Sequence, residues 1–123
     1  MTDFLNEYCM HSHTCGQLRR EDVGAEVTLT GWVWHNRDHG GLIFIDLRDR
    51  DGYTQCVVDP DCVSAEDFAV AEHLGREYVI EVTGKVRARM DDAVNPNMAT
   101  GEIELLASSV KTLNSSVLYR RRN

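Results

Sequence analysis

The sequence predicts an all-β domain: five strands closed into a Greek-key barrel, with one helix between the third and fourth strands. Three observations carry this. Apolar residues recur with a period of two in five separate stretches. One stretch alone, after residue 63, shifts to helical spacing. Glycines, Gly31 and Gly84, interrupt two of the strands where a small coiled barrel needs a bulge or a sharp bend. A parallel βαβ sheet would need helices between most strands.

The elements follow in order. GQLRREDVG, ending at Gly24, is a short turn of helix or a capped turn. EVTLTGWVWHNR is strand one, with Val27, Leu29, Gly31 and Val33 on one face and Thr28, Thr30, Trp32 and Trp34 on the other. RDHGG, residues 37–41, is a turn. LIFIDLRD is strand two, with Ile43, Ile45 and Leu47 inward and Leu42, Phe44, Asp46 and Arg48 outward. RDG at 50–52 is an Asp-Gly hairpin signal. YTQCVVDP is strand three, ended by Pro60, with Tyr53, Gln55 and Val57 sharing the outer parity.

Ser64 N-caps the helix, with Asp67 three residues on and Gly75 as its stop. Phe68, Ala71 and Leu74 share its apolar face. EYVIEVTGKVRAR is strand four, placing Tyr78, Ile80, Val82, Gly84 and Val86 inward and Lys85, Arg87 and Arg89 outward. A polar loop with Pro96 leads to strand five, GEIELLASSVKTL, with Ile103 and Leu105 inward and Glu102 and Glu104 outward. This order is that of the OB-fold.

The 123 residues make one domain, set at 15–114, with a loose extension at 1–14 and a loose tail at 115–123. A hydrophobic content of 42% and a charged content of 27% suit a soluble globular chain. No apolar run of membrane-spanning length and no secretory signal occurs, so a cytosolic protein without a membrane partner is expected. The net charge of −7 argues mildly against nucleic acid. The acids, however, cluster in turns and the helix, while arginines sit on the strands. Cys9, His11, His13 and Cys15 alternate in one segment, but structural zinc sites use wider paired spacings, so no metal is expected.

No P-loop, dinucleotide fingerprint or nucleophile elbow is present. Asp38 and His39 form a pair beside glycines. A flexible hairpin loop is preferred to a catalytic dyad, since loops accept such residues freely. A binding module remains. OB-folds bind oligonucleotides or oligosaccharides on strands two and three and the flanking loops. Phe44 on the outer face, beside Gln55, Arg48, Arg87, Arg89 and Glu104, suits single-stranded RNA: the ring stacks on a base while polar groups read base edges.

CGQLRREDVG, LTGWVWHNRDHGGLIFIDLRDRDGYTQCVVDP, VTGKVRAR and NMATGEIELLASS together resemble the N-terminal anticodon-binding domain of bacterial-type aspartyl-tRNA synthetase, from about Cys15 to Asn114. Lysyl and asparaginyl relatives share some of these pieces. The resemblance implies that the domain grips the anticodon loop of aspartate tRNA, anticodon GUC. It implies that Phe44 stacks on the central uridine, that Gln55 reads base edges and that Glu104 contacts the first base. Arg37 is implied to lie near the anticodon, with His39, Arg48, Arg87 and Arg89 as further RNA contacts.

Family members carry a run of arginines before Asp38, whereas this chain has His35, Asn36 and Arg37, so phosphate affinity is expected to be lower. The resemblance implies that the loop bearing His39 is one place where choice between aspartate and asparagine tRNA relaxes, which makes asparagine tRNA a second candidate partner. The parent enzyme would be a homodimer using ATP and Mg; the isolated domain is expected to be a monomer holding no cofactor. No class II catalytic motif follows Asn114, so this chain is expected not to activate aspartate, as an excised domain or a truncated paralogue. A general single-stranded nucleic-acid binder and a scaffold domain are the other readings. Paired base-reading residues at Gln55 and Glu104 favour the selective one.

Overall fold

The computed structural model describes residues 12–76 and 78–114. It contains β1 (Glu26–His39), β2 (Leu42–Asp49), β3 (Gly52–Val58), α1 (Ala65–Glu72), β4 (Val79–Ala88) and β5 (Ile103–Asn114), with 3-10 turns at Arg20–Asp22 and Asp91–Ala93. The strands close into a barrel in the order β1-β2-β3-β5-β4. All ladders are antiparallel except a short parallel one, where Cys56 and Val57 of β3 meet Leu105 and Leu106 of β5. This is the expected OB-fold. The expectations for residues 1–11 and 115–123 lie outside the described residues.

Alternation builds the core. Val27, Leu29, Val33, Ile43, Ile45, Leu47, Ile80, Val82, Ile103 and Leu105 are almost completely enclosed. Each is flanked in sequence by residues that reach the surface, as period two requires. The helix lays Ala71 and Phe68 on this core. Its Ser64 hydroxyl accepts from the Asp67 amide at 3.0 Å, the expected N-cap. It stops at Glu72 rather than at Gly75. The last turn tightens into bonds that span three residues instead of four, His73 N to Val70 O at 3.1 Å and Leu74 N to Ala71 O at 3.5 Å, and these end the α-helix before the glycine is reached.

Three details differ from the sequence expectation. β1 continues through Asp38 and His39, which pair with Ile43 and Leu42. The turn is Gly40-Gly41 alone, with φ of +64° and +85°. A two-residue hairpin needs positive φ at both positions, and two glycines supply it without strain. The second hairpin turns on Arg50-Asp51, since Asp49 pairs with Gly52. The Asp49 carboxylate accepts from the amides of Asp51 at 2.8 Å and Gly52 at 3.2 Å. Gly52 is there for space: a Cβ on it would stand 2.8 Å from the Gly16 Cα.

The segment from Ser12 packs on the barrel, so the described fold begins before residue 15. The Ser12 amide donates to Thr28 O at 2.9 Å, Thr14 Oγ1 to Asp51 at 2.6 Å and the Cys15 amide to Asp49 at 2.8 Å. Cys15 and Leu18 are wholly buried. Cys9 and His11 lie outside the described residues, and His13 meets the Ser12 hydroxyl at 2.8 Å. No helix among the described residues is long and apolar enough to cross a membrane.

The cysteines yield a direct expectation. Burial pushes the Cys15 and Cys56 thiols well above the ordinary range, with Asp49 adding to the effect on Cys15 and Asp46 on Cys56. Cys62 is exposed. Since the thiolate is the reactive form, native-state alkylation followed by peptide mass mapping is expected to label Cys62 and to spare Cys15 and Cys56 until the chain is denatured.

Candidate nucleic-acid interface

Directly paired residues of an antiparallel ladder share a face. The outer face of β1, β2 and β3 therefore resolves into tiers. Arg37, Phe44 and Val57 form the first; His35, Asp46 and Gln55 the second; Trp32, Arg48 and Tyr53 the third.

The parity of β1 changes on the way. From Thr28 to Trp34 even-numbered residues face out, and continuing that count would send Asn36 and Asp38 outward. Instead the register shifts between Val33 and His35, leaving Trp34 as an extra residue. This bulge turns His35 and Arg37 onto the Phe44 face. It turns Asn36 inward, where its amide donates to the Ala71 carbonyl at 2.9 Å and the Leu74 carbonyl at 3.3 Å. The expected irregularity at Gly31 thus falls at Trp34, while the one expected at Gly84 is present, between Thr83 and Gly84.

An open cleft of about 520 Å³ lies beside Phe44, lined by Arg37, Asp38, His39, Gln55, Arg89 and Ala93. Gln55, on its wall, starts a hydrogen-bonded chain that runs behind it. Gln55 Nε2 donates to Glu104 Oε1 at 2.8 Å, and Arg87 Nε donates to Glu104 Oε2 at 2.7 Å. The Glu104 carboxylate is 12% exposed and so largely shielded from water, while Arg87 stays at the surface. A carboxylate only accepts, so the Gln55 NH₂ must face it, and the Gln55 carbonyl oxygen stays available to a ligand. Each carboxylate oxygen holds two acceptor sites, and each spends one here. Arg37 approaches Asp46 at 3.6 Å and His35 approaches the other Asp46 oxygen at 3.3 Å. Arg37 is mostly exposed, so its pair adds little stability and leaves it able to turn to a ligand.

Thus Phe44, Gln55, Arg37 and His39 share one cleft, with Glu104 beside Gln55. Arg87 reaches it through Glu104. Arg48 sits two tiers from Phe44, over the Trp34 ring. Two residues depart from expectation. Val57 shares the outer parity but is 1% exposed. Its cross-strand neighbours are Phe44 and Leu106, bulky groups that cover it.

Arg89, expected outward with Arg87, is 8% exposed. Its Nε donates to the Ile103 carbonyl at 2.9 Å and its Nη1 to the Ala93 carbonyl at 3.3 Å, fastening the β4–β5 loop. Burial lowers its pKa, opposed chiefly by Glu104 and Asp46. The same loop is tied to β3 by Thr100 Oγ1, which donates to the Tyr53 carbonyl at 2.6 Å. Among the described residues no group of three His, Cys, Asp or Glu side chains could hold a metal ion.

The tRNA anticodon family, described as an OB-fold nucleic acid binding domain, matches residues 27–113. The chain belongs to this family. As an OB-fold nucleic acid binding domain it has relatives in two Synechococcus strains, RCC307 and WH7803. Both are named Aspartate–tRNA(Asp/Asn) ligase and are 57% and 56% identical over 106 residues. The match covers 86% of this chain and 17% of either relative, so the chain spans about a sixth of their length. Among solved structures, asparaginyl-tRNA synthetase from Pyrococcus horikoshii superposes with a TM-score of 0.72 at 30% identity, over 84% of this chain and 23% of that one. An OBody bound to hen egg-white lysozyme superposes with a TM-score of 0.73 at 26% identity, over 86% of this chain and 95% of that one.

Proposed function

We propose that this domain reads the GUC anticodon loop of aspartate tRNA as part of an aspartate–tRNA ligase. The observation that carries the reading is the Gln55–Glu104–Arg87 chain, whose Gln55 lines the open cleft beside the Phe44 ring. A general single-strand binder needs aromatic rings and positive charge. It has no use for a shielded carboxylate that fixes an amide, which costs desolvation and attracts no phosphate.

The chemistry follows from the groups. The central uridine stacks on Phe44. The Gln55 carbonyl oxygen accepts from a base edge. The two free acceptor sites on Glu104 match the N1–H and N2–H donors of the first-position guanine. Arg37 and His39, on the β1–β2 hairpin, border the same cleft and contact the loop. The names of the Synechococcus relatives favour asparagine tRNA as a second ligand. In the whole ligase, a homodimer in this reading, ATP and Mg belong to the catalytic domain, and this domain supplies recognition.

The test is a low-salt fluorescence titration with three anticodon stem-loops: the aspartate one, one with its central base changed, and the asparagine one. Tight binding of the first, weak binding of the second and comparable binding of the third are expected. Equal binding of all three would overturn selective reading, and far weaker binding of the asparagine loop would restrict the domain to aspartate tRNA.

A further inference from the structure

The third tier of the outer face holds a group that base reading leaves unused. The Trp34 ring carries two guanidinium groups, that of Arg48 with its carbon 4.7 Å from the ring centroid and that of Arg76 at 5.2 Å. The His35 ring meets the same indole edge-on, 5.9 Å away. Arg37 and Arg87 each face a carboxylate, but among the described residues neither Arg48 nor Arg76 enters an ion pair.

Two like charges on one ring repel each other. The indole offsets part of that cost by attracting both guanidiniums, and no carboxylate among the described residues takes up their N–H groups. Planar forks held in this way match the paired oxygens of a phosphate. Trp34 keeps the outward parity that runs from Thr28, which sets it on the same side as Arg48, the cross-strand partner of Trp32. Arg48 lies four residues along β2 from Phe44 on the same face, about 13 Å at roughly 3.3 Å per residue. Asp46, between them, has its oxygens turned to His35 and Arg37.

We infer that Trp34, Arg48 and Arg76 form a phosphate clamp for the RNA backbone that flanks the base held on Phe44. The inference rests on the anticodon reading and adds a second contact to it. An acidic protein segment would satisfy the charge as well. Continuity with the Phe44 row favours the RNA strand.

The test is the salt dependence of binding to the aspartate anticodon stem-loop, for the wild-type chain and for the double variant Arg48→Gln, Arg76→Gln. Each single-stranded phosphate contact contributes about 0.7 to the slope of log K against log salt, so the double variant is expected to lose about 1.4. Its preference for the native central base is expected to persist, which also shows that the variant folds. If the pair does not fold together, Arg76→Gln alone, at an exposed position, is expected to lose about 0.7.

An unchanged slope with base preference intact overturns the clamp and leaves the anticodon reading standing. Absence of base preference in the wild type overturns both. Binding of a poly-glutamate peptide that the double variant abolishes, with the RNA slope unmoved, assigns the surface to protein and overturns the clamp.

Discussion

Replacing Phe44 by alanine is expected to weaken the anticodon stem-loop complex by about 1–3 kcal/mol, the range for one base stacked on an aromatic ring. At 1.4 kcal/mol per tenfold, that is roughly 5- to 150-fold in Kd. The effect belongs to binding because Phe44 is not a core residue. It lies on the outer face, between Ile43 and Ile45, which are buried and carry the packing of β2. The variant is therefore expected to fold and to keep the Gln55–Glu104 hydrogen bond, which rests on β3 and β5. Leucine at the same position separates stacking from simple coverage of Val57. If Phe44→Leu restores the melting temperature but not the affinity, the ring is a platform. If Phe44→Ala leaves Kd unchanged, the ring serves packing and the anticodon reading fails.

The reason Phe44 was legible in the sequence is that its signal is local. An apolar strand with a phenylalanine on its wetter side, in line with Asp46 and Arg48, poses the question without a structure. The same holds for Ser64 and Asp67 at the helix start, whose roles need only residues three apart. The features that escaped are the ones that depend on partners far along the chain. The bulge at Trp34 reassigns the faces of His35, Asn36 and Arg37, and nothing in EVTLTGWVWHNR marks it; the glycine there drew attention to the wrong residue.

Arg89 continues the parity of Arg87, so strand logic sends it outward. Its true partners are carbonyls of Ile103 and Ala93, and the loop that carries Ala93 has no periodicity to reveal where it folds. The Gln55–Glu104 bond joins residues 49 apart in sequence. The sequence marks both as base readers, but that each fixes the other follows only from the parallel β3–β5 ladder that closes the barrel. The Arg48–Trp34–Arg76 stack joins β1, β2 and the stretch after the helix, three segments that no local pattern brings together.

Replacing Glu104 by alanine is expected to remove discrimination at the first anticodon position, with a cost of about 1.5–3 kcal/mol for a hydrogen bond to a charged acceptor. The carboxylate performs two tasks. It orients the Gln55 amide and anchors Arg87, and its remaining acceptor sites meet the two donors of guanine. Adenine offers an acceptor at N1 and lacks the N2 amine, so an acceptor-only group rejects it.

The wild-type chain is therefore expected to prefer guanine over adenine in a stem-loop titration, and Glu104→Ala to bring the two affinities together. Glu104→Gln is a sharper test, because its shape is kept. An amide has one acceptor oxygen and one donor nitrogen, so that nitrogen either faces the Arg87 Nε–H, donor against donor, or makes the Gln55 amide flip to accept from it and present NH₂ instead of its carbonyl oxygen to the base. Glu104→Gln is thus expected to lose discrimination nearly as fully as alanine. A glutamine variant that still prefers guanine would show that shape, not the carboxylate, selects the base, and would leave Gln55 as the sole reader on this wall.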